Sequence, residues 1–506
     1  MRSKKNVDIY DFKRIKQEYI RRNSPERSFR PPERLKLNYK SGNAEFDGQR
    51  FKTFSFFIST DDIGQAVEDY EEGLFIENLR YKLEGASQNK IALDIEKTVL
   101  SDPEKLIIFN NGLTIVCKKL TKISDSIIEL NEPLIVNGCQ TSWAIWNAYK
   151  IKKSINQSLN AYIYARIIET LDQNSIKDVT NATNNQNPIT SRDKHSKDEE
   201  QTAICQAFSE FSPKIFYDYK AGLKNSLERT NRIQSYYIRT IRGKPKPRVI
   251  DNTLAGQLYL ALLGKPAFAK TNKKDIFDIP EIYKTIFCYN LSKQERFNNS
   301  NLEIKSEEIN LRSGKIEYFL EDVFFAFAIL KLTRAYNNLY KNKLDDYTDE
   351  DKTKSAYKML VDDFSFIKRW DFTVVAAMNH LVNILSEGGE NEMKKLRAIL
   401  INGNDLDDLW RSKLDEKFNF ESNKDTIVLV KENAPSPEYF IFAKWVISIS
   451  LLLYELVKKK KEEDKESFSM REFIELSPDT YKKLKSKIEE KLALPRQEKD
   501  MWFPIK

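Results

Sequence analysis

The chain has 506 residues, 41% of them hydrophobic, a formal net charge of +8 and only two histidines, His195 and His380. This length predicts two or three domains, and the apolar share is too high for a wholly disordered chain. So few histidines exclude zinc sites of the HExxH type and hydrolase sites that need several imidazoles. Any catalysis must use carboxylates, amides, Lys, Arg, Tyr, Ser, Thr or Cys.

The amino-terminal stretch is basic and poor in apolar residues. Residues 1–36 hold 12 Lys and Arg against 5 Asp and Glu, which predicts a basic helix over 10–22 within an arm of residues 1–45. No apolar run suited to a secretory signal follows the first cations, so a cytoplasmic location is expected. Aromatic and β-favouring residues at 49–58 predict a strand, and helical periodicity predicts a helix over 62–83.

Short apolar segments and two Asn-Gly pairs fill residues 105–170. LIIF and LTIVCKKL predict strands on either side of Asn110-Asn111-Gly112, because Asn-Gly is a strong tight-turn signal. IIEL and PLIV predict two further strands. PLIV runs into Asn137-Gly138, after which TSWAIWNAYKI has helical spacing and AYIYARII predicts another strand. The order strand, turn, helix, strand places 137–141 at a helix N-terminus.

A third polar turn follows the next predicted helix. Residues 172–183 have helical spacing and end in the run NATNNQNP. Pro188 prevents a simple continuation of that helix. The turn 183–187 therefore carries five adjacent amide or hydroxyl side chains, whose oxygens suit a metal or a ribose hydroxyl and whose N–H groups suit phosphate. A plain polar loop is the alternative.

A second basic stretch lies further along the chain. Residues 220–248 hold 9 Lys and Arg against one Glu, with tyrosines among them, and helices are predicted over 196–212 and 225–242. Cations that meet phosphates and aromatic rings that stack on bases favour a nucleic-acid surface. A solvated basic helix face is the alternative. The expected nucleic-acid-binding residues are Arg229, Arg232, Tyr236, Tyr237, Arg239, Arg242, Lys244, Lys246 and Arg248.

The carboxyl-terminal part has helical periodicity almost throughout. Lys444 and Glu455 interrupt its most apolar segment, 440–457, which is too short for the roughly 20 apolar residues of a spanning helix. We therefore expect a buried core helix there and no membrane partner. The predicted helices are 318–341, 354–386, 391–402, 405–418, 437–458 and 468–492. The expected domains are the arm 1–45, an α+β core 46–300 and an α-helical domain 301–506.

The turn at 137–141 has the features of an anion site. A strand that ends in Asn-Gly and leads into a helix presents free backbone N–H groups at the positive end of the helix dipole. Asn137, Gln140 and Thr141 add side-chain donors and acceptors. An ordinary capped turn is the alternative. Three polar turns within 80 residues predict one shared site.

Four motifs in order resemble the AIPR (abortive infection phage resistance) family. They are LFIENLRYKLEG, NKIALDIEKTVLSDPEKLIIFNNGLTIV, IVNGCQTSWAI and ATNNQNPITSRDKHSKDEEQ. RVIDNTLAGQLYLALLGKPAFAK and residues 276–287 fit the later part of the family, so the resemblance covers about residues 60–300. Residues 1–45 and 301–506 lie outside it. The resemblance implies an anti-phage defence protein.

The order NGCQT, AYIYARII and TNNQN is similar, more distantly, to the ParB/sulfiredoxin superfamily, including its DGQHR-type members. This similarity implies an α+β fold, with a ParB/sulfiredoxin-like mixed core and helical additions, followed by a mainly α-helical C-terminal domain. It also implies that the first motif faces phosphates and the second faces metal and triphosphate. The sequence departs from that pattern, because Gln140, Thr141 and Asn187 replace its arginines. A triphosphate would need other cations.

The site residues that the resemblance implies come from these motifs. Asp193 is the expected catalytic residue and would hold Mg²⁺ or Mn²⁺ with Asn184 if the site hydrolyses phosphate. A surface role is the alternative for Arg80, Arg166 and Asp193. Cys139 falls where sulfiredoxins carry a reactive cysteine, yet the following His-Arg is missing, so a packed residue is expected. The expected nucleotide-binding residues are Asn137, Gly138, Gln140, Thr141, Asn184, Asn185, Asn187, Asn110, Asn111, Gly112, Arg80 and Arg166.

Three classes of function fit these features. The first is a phage-defence protein that binds a nucleoside triphosphate or nucleic-acid phosphate, with or without hydrolysis, while its helical half senses a phage or host protein. The second is a DNA or RNA nuclease or nicking enzyme. The third is a non-catalytic helical interaction or sensor protein. The sequence leaves open the oligomeric state, the trigger and whether the protein is an enzyme.

Overall fold

The computed structural model forms two compact units, residues 1–209 with 218–235 (unit 1) and residues 210–217 with 236–506 (unit 2). The domain limits at residues 45 and 300 stay predictions. The predicted helices at 10–22, 391–402 and 405–418 lie outside the described residues. The structure describes residues 31–48, 51–78, 86–184, 191–211, 215–229, 237–238, 246–292, 295–296, 314–345, 369–385, 420–423, 426–429, 437–464, 468–469, 472–473 and 477–503.

Unit 1 is built on one sheet with helices between its strands. Its strands are β1 (Arg34–Asp47), β2 (Lys52–Ser59), β3 (Leu113–Cys117), β4 (Lys119–Ser124), β5 (Ile127–Asn131), β6 (Leu134–Asn137) and β7 (Tyr162–Glu169). Its helices are α1 (Thr60–Tyr70), α2 (Ala86–Ser101), α3 (Leu106–Phe109), α4 (Cys139–Ser154), α5 (Gln173–Asn184), α6 (Ser191–Lys194), α7 (Glu199–Glu210) and α8 (Leu223–Arg229). Short 3₁₀ segments lie at Glu71–Phe75, Pro103–Lys105 and His195–Lys197.

The seven strands follow the order β4-β5-β1-β2-β7-β3-β6. The pair of β3 and β7 is parallel, and the other five pairs of neighbouring strands in this sheet are antiparallel. This parallel pair needs a crossover, which α4 supplies between β6 and β7. The sheet is therefore mixed, as expected for an α+β unit.

One face of this sheet is closed by helices. Alternate residues of β2 and β7, among them Phe56, Ile58 and Ile163, are buried on this face, as strand alternation requires. Helices α1 and α4 pack against each other, and Gly64 permits this because a Cβ there would lie 2.5 Å from the Tyr149 ring. This face forms the core of unit 1.

Unit 2 is mainly helical. Its strands are β8 (Phe216–Asp218), whose last residue belongs to unit 1, β9 (Tyr237–Ile238), β10 (Lys246–Pro247), β11 (Val249–Asp251), β12 (Phe420–Asn423) and β13 (Thr426–Leu429). Its helices are α9 (Asn252–Leu262), α10 (Pro266–Thr271), α11 (Asp275–Asp278), α12 (Pro280–Phe287), α13 (Ile316–Asp345), α14 (Asp371–Leu385), α15 (Pro437–Asp464), α16 (Pro478–Leu492) and α17 (Arg496–Trp502).

Helices α13, α14 and α15 pack on one another in the core of unit 2. The apolar segment 440–457 lies in α15 and buries Trp445, Ile449 and Leu453, as the buried-helix prediction requires. Among the described residues, no helix has both the length and the apolar character needed to cross a membrane.

Three local predictions are wrong. The helix predicted over 62–83 is an α-helix only to Tyr70 and is followed by the 3₁₀ segment Glu71–Phe75. LIIF forms the helix α3 instead of a strand, because four apolar residues favour a short strand and a buried helical turn equally, and Pro103 begins a helical segment just before them. Of the predicted helix over 225–242, the structure describes helix up to Arg229, and residues 230–236 lie outside the described part of the chain. Tyr237–Ile238 instead pairs with Lys246–Pro247, since aromatic and β-branched residues favour a strand when a partner is present.

Candidate functional site

The first asparagine turn connects α3 to β3. The Asn110 Oδ1 atom accepts the Gly112 N–H at 2.9 Å, so the side chain replaces a backbone acceptor within the turn. Gly112 has a φ of 83°, and a Cβ on it would clash with the Tyr164 carbonyl oxygen. Only glycine fits this close approach without strain. The turn is not the hairpin that its flanking segments predicted.

The second turn joins β6 to α4, as the sequence predicts. Gly138 is the N-cap residue with a φ of 100°, and its carbonyl accepts the Ser142 N–H and hydroxyl at 2.9 and 3.0 Å. The N-cap residue is a glycine and so contributes no side-chain cap, and no acidic residue lies in the first turn of the helix. The positive end of this 16-residue helix therefore lies at residues 138–141, and no carboxylate in its first turn neutralises it.

Two side-chain hydrogen bonds join the first turn to the second and the second to Thr183, where the third turn begins. The Asn110 Nδ2 group donates to Thr141 Oγ1 at 3.2 Å, which links the first turn to the second. The Asn137 Nδ2 group donates to the Thr183 carbonyl at 3.0 Å, which links the second to the last residues of α5. We call residues 110–112, 137–141 and Thr183 the asparagine junction.

Arg166 lies on the sheet beside the asparagine junction. Thr114 of β3 is the register partner of Asn137 on one side and of Arg166 on the other, so all three residues lie on one face of the sheet. Arg166 is exposed, whereas Thr114 is 7% exposed. The structure thus brings one of the predicted cations next to the junction.

Asp193 is placed differently from an open metal ligand. It is 3% exposed, its carbonyl accepts the Ser196 hydroxyl at 2.6 Å, and the neighbouring Arg192 donates to the Asp218 carbonyl at 2.8 Å. Within the part of the chain that the structure describes, no three His, Cys, Asp or Glu residues form a group able to hold a metal ion.

The other predicted residues divide by what the structure describes. Gln140 is partly exposed, and Asn111 is exposed. Cys139 is 6% exposed, as expected for a packed residue. Arg248 is partly buried, and its carbonyl accepts the Phe216 N–H at 2.8 Å. Backbone positions alone are described for Asn184, Arg229, Tyr237 and Lys246, and outside the described residues lie Arg80, Asn185, Asn187, Arg232, Tyr236, Arg239, Arg242 and Lys244.

A family model described as AIPR protein matches residues 75–494. The chain belongs to the AIPR family. Neither the curated proteins nor the solved structures that were compared with it gave a match. The AIPR match extends to residue 494, so the prediction that residues 301–506 lie outside the resemblance is wrong. Membership of this abortive infection family indicates a role in anti-phage defence.

Sequence reasoning missed the residues that hold the first AIPR motif in place. The Asn78 Nδ2 group donates to the Ile135 carbonyl of β6 at 3.4 Å. The Lys197 ammonium pairs with the Glu77 carboxylate at 2.8 Å, and Lys220, which is 2% exposed, donates to the carbonyl of residue 76 at 3.1 Å. Asn78 and Lys197 both lie inside the quoted motifs, so their motif membership was the available signal.

Proposed function

We propose that this AIPR protein acts in anti-phage defence by binding the phosphate of a nucleotide or nucleic acid at the asparagine junction. The observation that carries this proposal is the pair of side-chain hydrogen bonds, Asn110 to Thr141 and Asn137 to Thr183. These bonds bring the first two polar turns and Thr183, the first residue of the third, together at the N-terminus of α4. Helix N-termini with free N–H groups favour phosphate and carboxylate ligands.

Electrostatics supports an anionic ligand. The first turn of α4 has no acidic residue, and Arg166 is exposed on the neighbouring strand. Neutral amides at Asn110 and Asn137 can donate to phosphate without the desolvation cost of a buried charge. Arg166 would supply the cation that Gln140 and Thr141 do not.

Metal-dependent hydrolysis is the finer version of this proposal. It would use Asp193 and Asn184 to hold Mg²⁺ or Mn²⁺, as the distant similarity to the ParB/sulfiredoxin superfamily implies. The burial of Asp193, which is 3% exposed, does not fit an open oxygen site in which the ion also keeps several waters. The proposed function is therefore binding alone, without hydrolysis.

The test compares two asparagines of unit 1. Asn137→Ala removes the amide at the junction, whereas Asn156→Gly is a matched control because Asn156 is exposed and has a φ of 53° that glycine adopts freely. Affinity is measured by thermal shift and calorimetry with ATP, GTP, CTP, UTP and inorganic phosphate, since a ligand of the folded state raises Tm.

We expect Asn137→Ala to weaken binding at least tenfold and to reduce phage protection in plaque assays, while Asn156→Gly changes neither. Binding and protection that survive in folded Asn137→Ala protein would refute the proposed site. A wild-type protein whose Tm responds to none of these anions would refute it as well.

A further inference from the structure

The sheet face that carries Arg166 also carries partly exposed aromatic rings. Phe57 pairs with Tyr164 across β2 and β7, and Ser59 pairs with Tyr162. These residues alternate with the buried residues of the helix-covered face, so they point to the opposite side. All four are partly exposed. Helix α5 packs on the same face beyond Arg166, where its Ile176 contacts the cluster of Val116 and Ile168.

The rings are held in a defined arrangement. The Phe57 and Tyr164 rings lie edge to face with centroids 6.0 Å apart, and the Tyr164 hydroxyl is 3.0 Å from the Ser55 hydroxyl. Arg166 is the register partner of Ser55, two residues along β7 and about 7 Å from Tyr164. An aromatic pair is thus followed by an exposed guanidinium.

The charge on this face is positive. At the other end of the aromatic row, the exposed Lys40 ammonium lies 5.4 Å from the centroid of the Tyr162 ring. Strands β2, β7 and β3 are described throughout, and no carboxylate lies on this face of them. The residues that share the face are Thr53, Ser55, Phe57, Ser59, Tyr162, Tyr164, Arg166, Ile168, Thr114 and Val116.

We propose that this face binds single-stranded nucleic acid, with bases stacked on Phe57 and Tyr164 and phosphates held by Arg166 and Lys40. Stacking rings between cations recognise unpaired bases and tolerate any sequence. A duplex would not bind in this way, because its bases stack on one another. Cations without neighbouring carboxylates would attract either a nucleic acid or an acidic peptide. The two aromatic rings favour the nucleic acid, because its bases stack on them and acidic side chains do not.

This inference rests on the proposed function and deepens it by naming the ligand class. Gly112 of the asparagine junction lies directly against Tyr164, where an added Cβ would meet both the ring and the carbonyl. A strand that stacks on Tyr164 therefore reaches the junction with an adjoining phosphate. Stacking of bases on these rings uses no contact with the ribose 2′-OH, so we expect similar affinity for DNA and RNA.

Fluorescence anisotropy of the full chain with labelled dT15, U15 and a 15-base-pair duplex tests the proposal. Tyr164→Leu removes the stacking ring but keeps its bulk, and Tyr70→Leu is the matched control, because Tyr70 is partly exposed on α1 of the opposite layer. Circular dichroism melts verify that each variant folds. We expect about tenfold weaker binding of both oligomers by Tyr164→Leu and by Phe57→Leu, and unchanged binding by Tyr70→Leu.

Arg166→Gln tests the cation separately. It should weaken binding and reduce the slope of log affinity against log salt by about 0.7, the value for one phosphate contact on a single strand. An unchanged slope, equal affinity for the duplex, binding of RNA alone, or an equal loss in Tyr70→Leu would each overturn the proposal. So would the absence of any anisotropy change for the wild type.

The two proposals can fail separately. If Tyr164→Leu loses the oligomers but keeps nucleotide binding at the asparagine junction, both proposals stand. If no nucleotide binds and Asn137→Ala leaves oligomer affinity unchanged, the junction is refuted while the aromatic face stands. If nucleotides bind but neither oligomer does, the aromatic face alone is refuted.

Discussion

The asparagine junction of unit 1 and the Asp371 cluster of unit 2 use polar groups in opposite ways. At the junction, neutral amides of partly exposed residues form single hydrogen bonds. In unit 2, the carboxylate of Asp371, 5% exposed, contacts Lys270 at 2.7 Å and Arg334 at 3.2 Å. Opposite charges there satisfy one another, whereas amides retain donors and acceptors for a ligand. Substitutions in the Asp371 cluster should therefore reduce stability, whereas substitutions at the asparagine junction should mainly reduce ligand binding.

Removal of Asp371 should have the largest effect on stability. Asp371→Ala leaves the Lys270 ammonium without its carboxylate and removes the acceptor of the Phe372 N–H at 3.1 Å. Removing one partner of a buried ion pair costs several kcal/mol of stability. We expect a loss of about 3 kcal/mol here, at the low end, because Lys270 and Arg334 are 25% and 49% exposed and water can solvate them. Urea denaturation measures the loss.

Asp371→Asn is the matched control, because it keeps the size of the side chain and one acceptor oxygen for Lys270 and the Phe372 N–H, while it removes the charge and the oxygen that accepts from Arg334. It should lose clearly less stability than Asp371→Ala. Both variants should bind ligands of unit 1 with unchanged affinity. An Asp371→Ala protein as stable as the wild type would show that the cluster does not hold unit 2 together.

Gly112 should show the second largest effect. Gly112→Ala places a Cβ against the Tyr164 carbonyl at a φ of 83°, so strain and overlap together should cost about 2–3 kcal/mol. Gly314→Ala is the control, because Gly314 has a φ of 90° and open space around it. Its loss should be only about 1 kcal/mol. Equal losses in urea denaturation would refute the close approach of the first turn to β7.

The sequence predicted the second turn better than the first. At Asn137-Gly138, the short apolar run PLIV is followed by TSWAIWNAYKI, which is long enough to show a helical period, and the structure has β6 and α4 at that point. Before Asn110-Asn111-Gly112 there are only four apolar residues, which carry no period, and α3 forms where a strand was predicted. Local patterns identify an element when it is long enough for its period to be measured.

Contacts between distant segments could not be derived from local patterns. The bonds from Asn110 to Thr141 and from Asn137 to Thr183 join residues 31 and 46 positions apart. Only the order of family motifs suggested that these turns share one place. The aromatic pair of Phe57 and Tyr164 depends on the register of β2 with β7, which the sequence does not specify.

A charge placed at the asparagine junction should affect binding more than stability. Asn110→Asp keeps the acceptor for the Gly112 N–H and loses the donor to Thr141, so the loss of stability should be about 1 kcal/mol or less. The new carboxylate should repel phosphate and weaken nucleotide binding at least tenfold. Calorimetry with ATP and urea denaturation measure the two effects.

Asn156→Asp adds the same charge to an exposed position of unit 1 outside the junction. It should leave nucleotide affinity unchanged. If both variants weakened binding equally, the cause would be the overall charge of the unit, and the result would contradict phosphate binding at the junction.

His380 should give the smallest effect, and it appears only on acidification. Burial lowers the pKa of His380 below its ordinary value of 6.5, Lys485 lowers it further, and the hydrogen bond with Glu489 at 2.9 Å opposes this. Below pH 6.5 the unfolded chain therefore binds this proton more readily than the folded chain. By linkage, stability falls as the pH drops through this range.

The measurement is the free energy of unfolding from urea denaturation between pH 7.5 and pH 5.5. His380→Gln cannot take up the proton, so its stability should decline less over that interval than the stability of the wild type. His380 lies in unit 2, and residues 137–141 of the asparagine junction contain no acidic, basic or histidine side chain. We therefore expect the same nucleotide affinity in His380→Gln and in the wild type. Equal declines in the two proteins would mean that His380 is not buried as a neutral ring in unit 2.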